Sequence, residues 1–238
     1  MQIKYGLISI NFIGIREYYY RFGGIILEYI DLDNWKRKEH FNFFRRMDYP
    51  QYNICANIDI TKFLSFVRTK KISFNYAMIY ASTHIANEVV NFRYRMRENQ
   101  VILHDKLHPS FTYLKADEDD LFKFVIAEMN DDIFTFTEYA KRKAENQNDY
   151  LNLTDVAGRD DLIYITCIPW VSFTHLSHTI SLNKGDSVPR ISWGKYFSDN
   201  NKVLLPFSVQ VHHAFVDGIH LGIYFSKLQN YIDNQIIK

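Results

Sequence analysis

Hydrophobic and polar positions along this chain change period several times, and each change predicts an element. Asp33 is placed to cap a helix running through about Arg46, with Trp35, Phe41 and Phe44 among its apolar positions. Tyr52 to Ile60 alternates as a strand, Thr61 opens a short helix to about Arg68, and Asn75 to Val90 reads as a longer buried helix. Strand candidates follow over Phe92–Arg97, Val101–His104, Ser110–Lys115 and Leu121–Glu128. Thr135 to Tyr150 is a polar helix, and the β-branched run Leu162–Ile168 is a strand. Arg190–Phe197 and Lys202–His212 pair as a hairpin around Ser198-Asp199-Asn200-Asn201, whose residue types suit a turn. An amphipathic helix from Ile219 to Ile236 closes the chain, with Leu221, Tyr224, Leu228 and Tyr231 on neighbouring turns. This mixture predicts an α/β fold with a mixed, largely antiparallel sheet covered by helices. No repeat, low-complexity linker or internal boundary interrupts it.

Composition narrows the function classes. A chain of 238 residues with 47% hydrophobic and 16% aromatic positions can bury a substantial core, which excludes global disorder. The 28 Lys and Arg nearly balance 27 Asp and Glu, a net charge of +1, so nothing suggests the clustered basic face that nucleic acid requires. Cys55 and Cys167 lie far apart in sequence, form no disulfide framework, and suit a reducing cytoplasm. No apolar run approaches the ~20 residues of a membrane span. Residues 1–26 carry an apolar stretch after Lys4 but no small-residue cleavage site. They read as an appended strand-like extension, or as a start assigned too early, rather than as a secretion signal. The remaining residues, 27–238, read as one domain.

One segment names a chemistry. His212-His213-Ala214-Phe215-Val216-Asp217-Gly218 follows an apolar strand pattern and precedes a helical one. A histidine at such a corner projects into a cleft, and its imidazole titrates near neutrality, so it can take a proton from a nucleophile and return it. The other histidines (His40, His84, His104, His108, His175, His178 and His220) show no HExxH or comparable spacing, so no metal is expected.

The segment reads HHxxxDG, and from about Leu27 onward the chain resembles the chloramphenicol acetyltransferases block by block. The blocks, in order, begin with Asn34-Trp35-Lys36-Arg37-Lys38-Glu39-His40-Phe41, Ile58-Asp59-Ile60-Thr61 and Met78-Ile79-Tyr80. Asp105 through Pro109-Ser110-Phe111-Thr112 and Ile168-Pro169-Trp170-Val171-Ser172-Phe173 follow, and then Leu204 through His213. The last block is the most specific, because apolar patterning alone would not select it. The resemblance implies a two-layer α/β sandwich of the CoA-dependent acyltransferase type, a homotrimer with active sites between subunits, and acetyl-CoA as co-substrate.

It also implies roles. His213 matches the family's general base, which deprotonates the acceptor hydroxyl. Thr166 falls on the family's serine, whose hydroxyl hydrogen-bonds the oxyanion of the tetrahedral intermediate; threonine keeps the donor and adds a methyl group. Ser192 replaces a family threonine that assists the transition state through water. Asp217 matches an aspartate that pairs with an early arginine, here Arg37, to hold the corner structurally rather than to polarise the base. Lys195 and Tyr196 match contacts to the adenosine end of coenzyme A.

The acceptor pocket departs most from the family. Phe44 stands where the family has the tyrosine that hydrogen-bonds chloramphenicol, and Tyr52 where phenylalanine is usual. Phe124, after a one-residue shift, stands where a small residue leaves room for the drug. Acetyl transfer to chloramphenicol is the first expectation, acetyl transfer to another small hydroxyl or amine compound the second. A non-catalytic relative that only binds hydrophobic ligands is the third, disfavoured because His213, Thr166 and Ser192 are retained together.

Overall fold

The structure, a computed structural model, describes residues 7–12, 15–22, 25–115, 120–130, 132–180 and 185–235. The first strands are β1 (Leu7–Phe12), β2 (Ile15–Phe22), β3 (Ile25–Tyr29), β4 (Gln51–Asp59), β5 (Tyr94–Arg97) and β6 (Gln100–Leu103). Then come β7 (His108–Tyr113), β8 (Lys123–Ile126), β9 (Leu162–Ile168), β10 (Arg190–Gly194), β11 (Phe197–Asp199) and β12 (Lys202–His212). The helices are α1 (Lys38–Phe44), α2 (Thr61–Lys70), α3 (Phe74–Glu88), α4 (Ile133–Asn146), α5 (Leu153–Val156) and α6 (Gly218–Asp233).

The larger sheet runs β11-β12-β10-β9-β7-β8, with β4 also paired to β12. It is mixed: β9 lies parallel to both β7 and β10, and its other pairs are antiparallel. A second, antiparallel sheet has the order β1-β2-β3-β6-β5, so the backbone of the N-terminal extension adds β1 and β2 beside β3. Arg95 of β5 ties the sheets together, donating to the carbonyls of Asp160 and Leu162 at the entry to β9, both at 2.7 Å.

The period-2 pattern of the large sheet separates two faces. Phe111, Ile165, Ile191 and Val209 are all buried to within 2% exposure and meet α3, itself buried on nearly every side, together with α2 and α6. Trp193 and Phe207 stack on this face at 6.1 Å, and Phe207→Ala would cost about 3–5 kcal/mol in lost transfer energy and cavity. The opposite face is polar. Ser110, Tyr164, Arg190, Gln210 and Asn53 stand in register across five strands. Beside them runs the row Thr166, Ser192, Ser208 and Cys55. Residues 171–180 and 185–189 cross them, held by Asn53 Nδ2 on the carbonyl of Leu176 and by Gln51 Nε2 on the carbonyl of Asp186.

Several elements differ from the pattern-based expectation. Helix α1 starts at Lys38, because the Asp31 carboxylate accepts from Asp33 N (3.0 Å) and Asn34 Nδ2 (2.8 Å) and holds that stretch in turns. The Asp33 carboxylate binds Lys38 Nζ at 2.7 Å and caps nothing. The expected strand Arg190–Phe197 divides into β10 and β11. Between Trp193↔Phe207 and Phe197↔Leu204 the β10 side holds one residue more than β12, which is a bulge. It lies where Val171 O closes on Gly194: a Cβ there would meet that oxygen at 2.6 Å and Phe173 Cδ1 at 2.9 Å. The short helix α5 carries no sequence signal of its own. The last predicted helical residue, Ile236, lies outside the described residues. Among the described residues, no helix is long and apolar enough to cross a membrane.

Candidate active site

His213 sits at the end of β12, where its N–H donates to Pro50 O (2.9 Å) and the chain turns toward α6. Its ring lies flat on Phe44, centroids 3.9 Å apart and planes 4° apart, and it meets Tyr52 at 4.6 Å. Tyr52 is fixed in turn, its hydroxyl donating to Val216 O at 3.3 Å; burial, then the nearby Asp217 carboxylate, push the phenol up to about 12. His212 points elsewhere: it is 2% exposed, and its Nδ1 accepts from Ala214 N at 3.1 Å.

Arg37 and Asp217 meet across almost the whole sequence. Arg37 NH1 and NH2 each approach one Asp217 carboxylate oxygen at 2.5 Å, a bidentate pair. The remaining Arg37 donors reach the carbonyls of Ala214 (2.7 Å) and His213 (3.0 Å), so one guanidinium gathers the whole corner. The hydrogen bonds from Arg37 hold the Asp217 carboxyl below the usual range. Asp217 also caps α6, and His220 Nδ1 accepts from its backbone N–H at 2.9 Å. His213 Nδ1 comes within 3.2 Å of Asp217 Oδ1, yet the alignment makes no hydrogen bond. Asp217 is therefore engaged with the arginine and does not orient the imidazole as in a hydrolase triad.

Thr166, Phe124, Lys195 and Tyr196 line a different place, a cavity of about 1450 Å³ on the polar face. Phe124 is 37% exposed and edge-on to Phe122 at 5.2 Å. Tyr196 is 41% exposed and edge-on to Phe74 at 6.1 Å. Lys195 is exposed, with its N–H on Val171 O at 2.8 Å, so the bulge turns both residues toward the cavity mouth. Cys167 also lines the cavity, and burial pushes its thiol up to about 11, which keeps it protonated near neutrality.

The chain does not bring His213 to Thr166. Thr166 stands beside Ser192, Ser192 beside Ser208, and His213 is five residues beyond Ser208, about 16 Å along the strand. Nor does Ser192 line the cavity. It is fully buried, and its hydroxyl meets His178 Nε2 at 3.1 Å; the histidine is what faces the open space. Burial, then the charge of Arg190, lower His178 to about 4, so its ring is neutral near pH 7. Sequence reasoning missed His178 because it lies in an aperiodic segment with no ligand spacing around it. Among the described residues, no group of three or more His, Cys, Asp or Glu side chains could hold a metal.

Residues 25–229 match the family model described as chloramphenicol acetyltransferase. A chloramphenicol acetyltransferase of a Klebsiella species is 30% identical over 204 residues, 86% of this chain and 93% of that protein. Chloramphenicol acetyltransferase 2 of Haemophilus influenzae is 32% identical over 206 residues, 86% of this chain and 96% of the relative. A solved chloramphenicol acetyltransferase superposes with a TM-score of 0.79 at 28% identity, over 85% of this chain and 98% of its own. The Azotobacter vinelandii dihydrolipoamide acetyltransferase shares the fold at a TM-score of 0.63 and 14% identity, over 82% of this chain and 86% of its own. With its mixed sheet covered by helices and its family match across most of the sequence, the chain belongs to the chloramphenicol acetyltransferase family and is an acetyltransferase enzyme.

Proposed function

We propose that this enzyme transfers the acetyl group of acetyl-CoA to a hydroxyl of chloramphenicol, with His213 as general base. The observation that carries the reading is the corner of His213 itself. Phe44 stacks on its ring, Tyr52 packs tilted against it, and Arg37 grips its carbonyl, in a chain that belongs to this family. An alcohol must lose its proton as it attacks the thioester carbonyl. His213 takes that proton and gives it to the departing thiolate, so the products are the acetyl ester and free coenzyme A. Thr166 donates from its hydroxyl to the oxyanion of the tetrahedral intermediate. Ser192, beneath His178, acts only through its neighbours. Lys195 and Tyr196 at the cavity mouth receive the adenosine end of coenzyme A, the tyrosine by stacking and the lysine by meeting a phosphate.

The distance between His213 and Thr166 within one chain supports a homotrimer, in which the base of one copy faces the cavity of the next. Assembly then completes the site. The test is release of coenzyme A from acetyl-CoA with chloramphenicol, together with mass determination by light scattering. A monomer with full activity would defeat the shared-site reading. A second reading keeps the reaction and changes the acceptor. It is favoured by Phe44, which has no hydrogen-bonding group, and by Phe124 in the cavity. A panel of hydroxyl and amine compounds run beside chloramphenicol separates the two.

A further inference from the structure

His178 is a polar group of the cavity with bonding capacity to spare. Its backbone N–H is fixed on Gln210 Oε1 at 3.3 Å and its Nε2 faces Ser192 Oγ at 3.1 Å. Among the described residues, its Nδ1 has no hydrogen-bond partner. A neutral imidazole carries one donor and one acceptor, so whichever role Ser192 leaves to Nδ1 is available to a ligand. The neighbouring cation is already committed. Arg190 NH2 binds Asp186 Oδ2 at 2.6 Å, its NH1 binds Val188 O at 3.0 Å, and its guanidinium lies over the Tyr164 ring at 5.4 Å. With Arg190 paired to Asp186 and His178 itself neutral near pH 7, the group left open at the cavity floor is an uncharged imidazole, which suits a neutral hydrogen-bonding partner. Around it, Phe74, Phe122, Phe124 and Trp170 offer apolar and aromatic walls.

We propose that His178 is an acceptor-binding residue, whose Nδ1 hydrogen-bonds a neutral polar substituent of an acceptor with an aromatic or apolar body. The proposal rests on the acetyl-transfer reading of the cavity and adds its specificity element. Ser192 becomes the group that sets the ring's tautomer, one layer behind the ligand. A leucine at 178 would fill similar space without the hydrogen bond, whereas glutamine would restore a donor and an acceptor.

The experiment uses full-length protein with chloramphenicol as the probe. Imidazole ¹⁵N shifts are followed during titration, with His178→Leu assigning the resonance and steady-state kinetics run beside it. Expected are a displaced His178 ring resonance and a KM for chloramphenicol raised about three- to tenfold in His178→Leu, the loss of one neutral hydrogen bond. The KM for acetyl-CoA stays unchanged, and His178→Gln recovers most of the loss. A ring resonance that does not move at saturating chloramphenicol overturns the proposal. So does a His178→Leu variant that loses acetyl-CoA and chloramphenicol binding equally, because His178 would then only hold the segment in place. Failure of the functional reading looks different: the wild-type protein would bind chloramphenicol and move the ring resonance but release no coenzyme A.

Discussion

Phe44 and His213 are stacked face to face, 3.9 Å between centroids and 4° between planes, the tightest ring pair described in the chain. The stack fixes the plane of the imidazole, whose side chain stays 35% exposed. Phe44 ends α1 and His213 directly follows β12, so Arg37, one residue before α1, sets the stack by gripping the corner after β12. Phe44→Tyr keeps the ring and adds a hydroxyl at its rim. We expect kcat to hold and the KM for chloramphenicol to fall several-fold, reflecting about 0.5–1.5 kcal/mol from one hydrogen bond. An unchanged or raised KM would mean that the pocket is built for another acceptor.

His213→Ala removes the proposed base without touching the fold, since the side chain is partly exposed and the corner is held by backbone atoms. Turnover is expected to fall by at least about 10²–10⁴-fold, while coenzyme A binding and the melting temperature change little. A folded variant within tenfold of wild type would remove His213 from the mechanism.

Arg37 and Asp217 call for a double-mutant cycle. Asp217→Asn leaves a guanidinium facing a neutral amide. The cost is expected to be roughly 2 kcal/mol, below the range for fully buried pairs because Asp217 is 29% exposed. Adding Arg37→Met removes the orphan charge and should recover part of the stability. Recovery stays incomplete because Arg37 also serves the carbonyls of Ala214 and His213. Strictly additive losses in urea melts would show that the two charges are not coupled.

Stability should depend on pH through His178. Its folded value of about 4 lies below the ordinary 6.5, so between these values the unfolded chain binds more protons and stability rises with pH. The protein should therefore lose stability as pH falls from 6.5 toward 4, a slope that His178→Gln makes shallower. His104 and His220 are also lowered, chiefly by burial, so the slope is reduced rather than abolished. Equal slopes in the two proteins would mean that His178 is not desolvated.

How much was legible depended on whether the signal was local. The bounds of β9 and β12 follow from their apolar runs, and the turn between β11 and β12 from Asn200 and Asn201, which adopt φ of 46° and 64°. The Arg37–Asp217 pairing could be expected only through the family's motif, since the two residues are 180 positions apart. Helix α1 begins later than its periodicity predicts because Asp31 competes for nearby donors, a contest that periodicity does not register. The burial of Ser192 and the role open to His178 depend on where an aperiodic segment crosses the sheet, which no spacing along the chain encodes.

The segment over the polar face is gripped by its main chain. Asn53 and Gln51 seize the carbonyls of Leu176 and Asp186, and Gln210 takes the amide of His178. Every residue type supplies a carbonyl, and all but proline an amide hydrogen, so these clasps are indifferent to the side chains they carry. The strands thus act as a fixed rack, and the segment across it as an exchangeable strip. Side chains along that strip can therefore change while these three clasps stay in place.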